Sequence, residues 1–474
     1  MKNRFNRLTS KEWLPFQKSW FKFESNAKLL RENILFFTKA EKSSEKVYYF
    51  GSDYNEVSEV CQKNDIICIN SDEYHDDALQ FAILDLRKDI ESISDLNEYS
   101  ELRNEIINNT EKIFKNLEHR KFLCVFIQNK QDGEKYYPFA WDIAYQISSI
   151  FSLKDEKIAC ISTLDAPVKV NYFKPTKSHF YCLYFRKDEN SHGIYSKPIL
   201  DLFSNNCQKF NNNSFSSELP SWFILKPAPR KKNEVLHPAK YPEELVTTFL
   251  SVFTNPDDNV IDPMSGTGST QVAALKSGRN AYGTELSHFF IDIANARCNE
   301  IINPAQKELF TVSKSSSKFC ILNKDARQIS GNDFPTIDYM ITSPPYWDML
   351  NMKGAENQAK RLEKGLLTNY SESIEDLGNL SDYQSFIDEL VRVYFNVISI
   401  MKSGSYFTIV VKNIKKKGKN YPFAWDLSQR LSEKAILLPE VFWCQDDINL
   451  APYGYGNTFV SNTFHQYCLN FMKP

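Results

Sequence analysis

Apolar and polar positions in the middle of the chain alternate between strand-like and helix-like patterns. Residues 259–262 and 281–285 are short apolar runs, and helices are predicted at about 269–277 and 289–299. Short strands that alternate with helices are typical of βαβ units, whose strands lie parallel in one sheet. The pattern therefore predicts an α/β fold with a doubly wound, mostly parallel sheet.

The hydrophobic pattern of the N-terminal half recurs in the C-terminal half at an offset of 284 positions. The string YPFAWD, for example, occupies 137–142 and again 421–426. Similarity over such a length indicates a duplication. Each copy predicts a helix followed by an apolar strand, at about 99–117 and 122–127 in the first copy and at about 383–401 and 406–411 in the second.

These patterns divide the chain into five predicted segments. A length of 474 residues is ample for two domains with sizeable cores. The segments are an N-terminal helical segment (1–46), a degenerate copy (47–187), a linker rich in Asn and Ser (188–235), an unrepeated segment with the βαβ pattern (236–336), and the second copy (337–474) with an insertion at 348–373.

Composition limits the location and the partners. The chain shows neither a signal-peptide pattern nor an apolar run of about 18 residues, so a cytoplasmic protein without a membrane partner is expected. The ten cysteines stand singly, without the spacing of a zinc site, and no metal is expected. The net charge of −2 requires any nucleic-acid-binding surface to be local. Two basic runs, 226–232 and 412–419, are candidates, with solvated loops as the alternative.

A glycine loop follows the strand at 259–262. The string DPMSGTGS, from Asp262 to Ser269, places Gly266 and Gly268 just ahead of a helix. Glycine lets the backbone turn sharply and approach a ligand, and a helix N-terminus adds a positive field. The third glycine of the dinucleotide fingerprint and the lysine of a phosphate loop are both missing, which disfavours a pyrophosphate ligand.

Acidic residues come at the ends of the next two predicted strands. Glu285 can accept hydrogen bonds from two ribose hydroxyls, and Asp325 can accept one from an adenine amino group. Such residues line the crevice in which doubly wound sheets bind ligands. A helix cap or a surface carboxylate is the alternative for either residue.

The string TSPPYW places a stiff loop directly after another strand. Pro344 and Pro345 have fixed φ angles and no N–H, so the carbonyl groups before them stay free as acceptors. The Ser343 hydroxyl and the Pro344 carbonyl can together accept the two hydrogens of an amino group, and Tyr346 offers a flat face to an extruded base. A rigid turn that closes the sheet is the alternative.

DPMSGTGST and TSPPYW together resemble the motif pair of the DNA methyltransferases that methylate exocyclic amino groups, forming N4-methylcytosine or N6-methyladenine. The segment HPAKYPEE at 237–244 is similar to the one that precedes the glycine loop in that family. The resemblance covers 236–474. It implies a Rossmann-like class I methyltransferase fold, S-adenosylmethionine as the cofactor and double-stranded DNA as the partner.

The family's roles transfer to matching positions of this chain. The resemblance implies that the catalytic loop is Ser343, Pro344, Pro345 and Tyr346, in which Ser343 and Pro344 position the amine and Tyr346 stacks on the base. It implies cofactor contacts at Ser265, Gly266, Gly268 and Ser269 around the methionine part, at Glu285 for the ribose and at Asp325 for the adenine, with Asp262 supporting the loop.

The serine before Pro-Pro favours cytosine N4 as the target, because related loops for adenine N6 carry Asp or Asn. Adenine N6 in DNA is the alternative, and related loops also act on RNA or on protein amide nitrogen. An inactive, methyltransferase-like module that binds nucleic acid is the alternative outside enzymes. The target sequence, a partner restriction endonuclease and the choice between monomer and dimer stay open.

The first copy has Asp85-Leu-Arg-Lys88 where the second has Ser343 to Tyr346, so we expect it to be inactive and to serve in packing or DNA recognition. The insertion after the catalytic loop is expected to fold over the substrate. Predicted DNA contacts come from Trp347 and from Lys412, Lys415, Lys416, Lys417 and Lys419.

Overall fold

The computed structural model describes residues 6–39, 44–70, 78–163, 172–189, 219–226, 241–303, 317–347, 377–416, 418–446 and 463–474. Its helices are α1 (Ser10–Phe16), α2 (Asn26–Phe37), α3 (Tyr54–Gln62), α4 (Arg87–Ser92), α5 (Leu96–Asn116), α6 (Phe139–Ser148), α7 (Glu243–Phe253), α8 (Ser269–Lys276), α9 (His288–Ile302), α10 (Tyr383–Ile400) and α11 (Phe423–Leu431).

The strands of the first half are β1 (Trp20–Lys22), β2 (Glu45–Phe50), β3 (Ile66–Ile69), β4 (Leu79–Asp85), β5 (Leu117–Ile127), β6 (Lys130–Asp132), β7 (Lys135–Tyr137), β8 (Ser152–Ile161) and β9 (Ser178–Arg186). Those of the second half are β10 (Trp222–Ile224), β11 (Asn259–Asp262), β12 (Asn280–Glu285), β13 (Phe319–Asn323), β14 (Ile337–Thr342), β15 (Met401–Val411), β16 (Ile414–Lys416), β17 (Lys419–Tyr421), β18 (Ile436–Leu437), β19 (Val441–Cys444) and β20 (His465–Met472).

Two sheets with matching strand orders organise the described residues. The first has the order β1-β8-β9-β5-β4-β2-β3, and the second has β10-β19-β20-β15-β14-β11-β12-β13, with β18 paired to β20. In the first sheet β9 runs antiparallel to both of its neighbours, and in the second β20 does the same. The other pairs in these two orders are parallel.

Helices cover both faces of each sheet. Apolar residues of α2 and α3 pack on one face of the first sheet, and those of α5 and α6 pack on the other. In the second sheet α7 and α8 cover one face, and α10 and α11 cover the other. The α5, α6, α10 and α11 residues belong to a single buried cluster that joins the two halves. The predicted doubly wound, mostly parallel α/β fold is confirmed.

The repeat is larger than the sequence indicated. Strands β1, β2 and β3 take the same positions in the first sheet that β10, β11 and β12 take in the second. Helices α2 and α3 connect the first three strands, as α7 and α8 connect the other three. The prediction that 236–336 is unrepeated is therefore wrong for β11, β12, α7 and α8, which lie within that segment. The side chains have diverged: Tyr49 stands at the register position that Asp262 has in the second sheet.

Two predicted segment boundaries also change. Segment 1–46 is not a separate helical unit, because it contains β1, which pairs with β8 of the first sheet. The predicted linker contains β10, which pairs with β19. The rest of the linker lies mostly outside the described residues, and so does the predicted insertion at 348–373.

Equivalent residues of the two copies meet each other. The rings of Trp141 and Trp425 stack with centroids 6.2 Å apart, and the sulfur atoms of Cys160 and Cys444 lie 4.0 Å apart. Contact between equivalent positions is the mark of a two-fold arrangement. The two halves of one chain therefore pack as the subunits of a symmetric dimer would.

The second sheet brings the predicted functional loops to one edge. Strands β12, β11, β14 and β15 are neighbours and run parallel. Their carboxyl ends carry Glu285, the glycine loop, the catalytic loop and Lys412, respectively. No helix within the described ranges is long and apolar enough to cross a membrane.

Candidate active site

The carboxylate of Asp262 is a buried hub at the end of β11. Its Oδ2 accepts hydrogen bonds from the hydroxyls of Tyr241 and Thr270, each at 2.8 Å, and its Oδ1 accepts from the Met264 N–H at 3.0 Å. Thr342, the last residue of β14, donates to the same Oδ1 at 2.6 Å. Burial raises the pKa of Asp262, and these hydrogen bonds offset part of that rise. The carboxylate thus ties the catalytic strand to the glycine loop.

The Ser265 hydroxyl is held from both sides. It donates to the Asp262 carbonyl at 3.0 Å and accepts from Nε2 of Gln271 at 2.8 Å. A Cβ atom on Gly283, in the neighbouring β12, would lie 2.6 Å from that carbonyl, closer than atoms pack. Only glycine therefore fits beside this loop.

The glycines of the loop use backbone conformations that other residues avoid. Gly266 has φ +50° and Gly268 has φ +77°, both in the left-handed region. A Cβ on Gly268 would lie 2.8 Å from Cβ of Ala294 in α9. Gly268 thus allows the loop to turn into α8 while α9 packs closely against it.

Glu285 closes one side of the loop. Its Oε2 accepts the Gly266 N–H at 2.8 Å, and its Oε1 accepts the Ser287 N–H at 3.0 Å. A carboxylate oxygen has two lone pairs, so each oxygen can accept a further hydrogen bond. The predicted ribose contact is compatible with these bonds and stays a prediction.

Ser269 carries a polar atom that the protein leaves unsatisfied. It is the first residue of α8, its side chain is buried, and its hydroxyl has no hydrogen-bond partner among the described residues. Buried hydroxyls are nearly always paired, and free N–H groups at a helix N-terminus attract anions. The position suits the carboxylate of a bound ligand.

Asp325 is engaged by its neighbour Arg327. The carboxylate accepts the Arg327 backbone N–H at 2.8 Å and its guanidinium at 2.6 Å, and Arg327 also donates to Glu389 at 3.0 Å. The hydrogen bond to Asp325 is the main reason that the pKa of Arg327 lies above its usual range. These contacts match the helix-cap alternative, and the adenine contact stays a prediction.

The catalytic loop begins directly after Thr342. Ser343 and Tyr346 are half-buried, and Pro344 between them is buried. The Tyr346 hydroxyl donates to Oε1 of Gln466 at 3.1 Å, and Nζ of Lys412 lies over the Tyr346 ring, 4.9 Å from its centroid. The ring predicted to stack on the base is thus fixed at the hydroxyl end.

Trp347 anchors the loop instead of facing solvent. Its side chain is 5% exposed, and its ring makes edge contacts with Tyr383 and Tyr421 at centroid distances of 5.2 and 5.0 Å. The Lys416 ammonium lies 3.7 Å from the Trp347 ring centroid. These contacts give Trp347 a packing role, and its predicted DNA contact stays a prediction.

The predicted DNA-binding lysines have different surroundings. Lys415 forms an ion pair with Asp155 of the first copy at 2.6 Å, so its charge helps to join the halves. Lys419 lies over the Tyr421 ring at 5.0 Å. Lys417 lies outside the described residues. DNA contacts by these lysines stay predictions, with Lys415 the least available.

The matching site of the first copy is filled by ion pairs. Arg87, at the position of Pro345, donates to Oδ1 of Asp85 at 2.7 Å and to Asn26 at 3.0 Å. Lys88, at the position of Tyr346, pairs with Asp53 at 3.0 Å. The first copy thus has paired cationic side chains where the second has Pro345 and Tyr346, which supports the prediction that this copy is inactive.

Sequence reasoning located the loops but missed several side chains that hold them. Tyr241 lies in the segment that precedes the glycine loop and Thr342 in the catalytic string, so a hydroxyl near each motif was the available signal. Gln466 offers no such signal, because its contact with Tyr346 spans 120 positions.

Fold and loops together define the class: a doubly wound α/β protein with a glycine loop and a Pro-Pro loop on neighbouring strand ends. A family model described as DNA methylase, the N6/N4 methyltransferase family, matches residues 54–296, just over half of the 474 residues. The chain belongs to this family. The match begins with α3 of the first sheet and ends within α9, so it covers most of the first copy and the glycine loop and ends before the catalytic loop.

Similar proteins match over shorter lengths. The type II methyltransferase M.MthZI of Methanothermobacter thermautotrophicus is 41% identical over 71 residues, 15% of this chain and 20% of that protein. M.BglI of Bacillus subtilis, also a type II methyltransferase, is 30% identical over 108 residues, 23% of this chain and 30% of that protein. The chain thus spans less than a third of the length of these curated relatives.

Among solved structures, a putative rRNA methylase from Clostridium thermocellum covers 50% of this chain and 99% of its own at 10% identity, with a TM-score of 0.31. A superposition this loose adds nothing to the fold already read from the strand order.

Proposed function

We propose that this protein transfers a methyl group from S-adenosylmethionine to the exocyclic amino group of an extruded base in double-stranded DNA, with cytosine N4 as the target. One observation carries the proposal. The Thr342 hydroxyl donates to Asp262 at 2.6 Å, which holds the start of the catalytic loop beside the glycine loop. A target amine and a cofactor bound at these two loops would be neighbours.

The residues around the glycine loop fit the cofactor. The Ser269 hydroxyl, unpaired among the described residues, suits its carboxylate, and the close packing at Gly268 and Gly283 fixes the course of the loop. The Glu285 carboxylate lies beside this loop, where it can accept hydrogen bonds from ribose hydroxyls. Bound there, the cofactor supplies a sulfonium methyl group, which is already a strong electrophile.

The catalytic loop supplies orientation. Ser343 and the Pro344 carbonyl accept the two amine hydrogens, which turns the nitrogen lone pair toward the methyl group. Tyr346, held by Gln466, stacks on the base and keeps it out of the duplex. Serine at 343 favours cytosine over adenine by the family resemblance, and the family itself includes enzymes of both specificities.

Label transfer from cofactor carrying a radioactive methyl group tests the proposal. We expect DNA to be labelled, and RNA and protein not. Ser343→Ala should lower the rate by about 100-fold or more, the usual effect of removing one positioning hydrogen bond in an active site. Tyr346→Ala should lower it by about 10- to 100-fold through lost stacking.

The matched control is Lys88→Ala, at the first copy's equivalent of Tyr346. The Lys88 side chain is 65% exposed and forms one surface ion pair, so its loss should leave the rate unchanged. Labelling of RNA or protein instead of DNA, or none of the three, would contradict the proposal. An unchanged rate in Ser343→Ala would show that Ser343 does not position the target amine.

A further inference from the structure

Lys412 stands at the edge of the catalytic loop. It directly follows β15, whose parallel partner β14 ends at the loop, and its Nζ lies over the Tyr346 ring at 4.9 Å from the centroid. The side chain is half-buried. The base is proposed to stack on this same ring, so the Lys412 amine lies close to the place where the target base would bind.

No carboxylate in the described part of the chain pairs with Lys412, whereas Lys415 three residues later is paired with Asp155. A partly desolvated charge without a counter-charge is costly and is typical of functional sites. The first copy avoids this cost: its equivalent residue is Gln128, which donates to the Arg87 carbonyl at 2.9 Å. The unpaired lysine therefore exists only beside the intact catalytic loop.

We propose that Lys412 is the catalytic base, whose neutral amine takes the proton that the target amino group must lose. The inference rests on the proposed function. The N–C bond to the methyl carbon forms as the C–S bond breaks with its electron pair going to sulfur. One of the two hydrogens leaves its acceptor in the catalytic loop, its N–H bond electron pair returns to nitrogen, and the proton moves to Nζ of Lys412. The positive charge thus leaves the sulfonium and ends on the lysine.

The charges around Lys412 favour its neutral form before the reaction. Burial lowers the pKa of Lys412, and no charged group of the described residues opposes this. The Tyr346 ring that it faces is uncharged at neutral pH, and so is Gln466, the hydrogen-bond partner of Tyr346. The sulfonium of a bound cofactor would add a like charge and lower the pKa further.

After the reaction the same surroundings stabilise the product. The sulfonium charge is gone, and the ring of Tyr346 attracts the new ammonium. No other described residue of the loop serves as well, because the Ser343 hydroxyl is a weak base and the string TSPPYW contains no carboxylate. An ammonium fixed beside the amine would instead oppose the positive charge that develops on nitrogen.

Single-turnover methylation with saturating DNA and cofactor tests the role of Lys412. Lys412→Met and Lys412→Arg should both lower the rate by about 100-fold, the usual share of a general base. Affinity for DNA should stay within about threefold of wild type by filter binding. The wild-type rate should fall as pH falls and Lys412 becomes protonated, and this acid limb should vanish in both variants.

The arginine variant separates a base from a phosphate anchor, because arginine keeps the charge but cannot be deprotonated. If Lys412→Arg retains the rate while Lys412→Met loses DNA affinity, Lys412 is an anchor and the inference fails. Equal rates in all three proteins also overturn it. A wild-type protein that does not methylate DNA would instead refute the proposed function.

A second readout does not depend on activity. Trace acetylation followed by peptide mass spectrometry measures the reactivity of each lysine amine across pH. Lys434 is the matched control, since its ammonium lies over the Phe395 ring at 4.4 Å on an exposed surface. Lys412 should react at lower pH than Lys434, and identical titration of the two would contradict the inference.

Discussion

At the scale of single residues, the site is built from polar groups whose partners decide their roles. Asp262 is satisfied by four donors and holds two loops in place. The Ser269 hydroxyl has no partner among the described residues, which suits a hydrogen bond to a ligand. Tyr394 of α10 shares this condition, because its hydroxyl is fully buried and likewise unpaired within the described residues. Burial, with a smaller effect of Asp262, holds its pKa well above the usual range.

Tyr394→Phe removes only this hydroxyl and should leave the free energy of unfolding unchanged or raise it by about 1 kcal/mol, because a buried polar atom without a partner is unfavourable. Tyr339→Phe is the matched control: its hydroxyl donates to Thr408 at 2.7 Å, and its loss should cost about 1 kcal/mol. Urea denaturation of the cofactor-free proteins measures both. Equal destabilisation would mean that Tyr394 has a partner.

At the scale of elements, the glycine loop depends on close packing between β11, β12 and α8. Gly283 leaves room for the hydroxyl of Ser265 and the side chain of Gln271, which are themselves bonded at 2.8 Å. The backbone carbonyl of Asp262 forms the third wall and cannot move without shifting β11. The loop and the strand beside it therefore form one unit.

Gly283→Ala should disrupt this unit. A Cβ 2.6 Å from the Asp262 carbonyl must displace backbone, which we expect to cost about 1–3 kcal/mol and to weaken cofactor binding by more than about tenfold. Gly331→Ala is the control, since a Cβ there meets nothing within 4 Å. Calorimetric titration with the cofactor and thermal unfolding measure the two effects, and a Gly283→Ala protein that binds like wild type would refute the packing argument.

Elements whose sequence pattern lies within the element itself were predicted correctly, and features that depend on distant residues were not. The strand predicted at 259–262 coincides with β11, and the helix predicted at about 383–401 is α10. Both could be predicted because the spacing of apolar residues within each segment indicates its secondary structure. The counterparts β1 to β3 were missed because Tyr49 has replaced the acid of the loop. The burial of Trp347 depends on Tyr383 and Tyr421, which no nearby sequence specifies.

At the scale of the whole molecule, two buried glutamates hold the copies together in a reciprocal pattern. Glu156 of the first copy accepts from Asn413 at 2.8 Å and from Tyr467 at 2.7 Å. Glu440 of the second copy accepts from Asn129 at 3.0 Å and from Tyr181 at 2.5 Å, the equivalent residues. These contacts make the interface between the two copies symmetric. The loops are not symmetric, because the first copy has Asp85 to Lys88 where the second has Ser343 to Tyr346.

This interface should weaken in acid. Burial alone would raise the pKa of Glu440, but hydrogen bonds from His179, Tyr136 and Tyr181 outweigh it and hold the pKa below its usual range. A carboxyl whose pKa is lowered by folding stabilises the fold above its unfolded pKa, and this contribution is lost as pH falls through the folded pKa.

Glu440→Gln should therefore reduce the drop in unfolding free energy between about pH 5 and about pH 2. Chemical denaturation at several pH values measures this drop. The exposed Glu244 offers the matched control, and Glu244→Gln should follow wild type. If Glu440→Gln showed the full wild-type drop, protonation of Glu440 would not contribute to the loss of stability in acid.

The proposed function requires that the Ser343 to Tyr346 loop of this protein modify an amino nitrogen of cytosine. Plasmid DNA incubated with the protein and cofactor, digested to nucleosides and analysed by mass spectrometry against synthetic standards, tests it most directly. We expect N4-methylcytosine in DNA treated with the wild-type protein and none in DNA treated with Ser343→Ala. N6-methyladenine would contradict the choice of base, and DNA without any methylated amino group would contradict the proposed function itself.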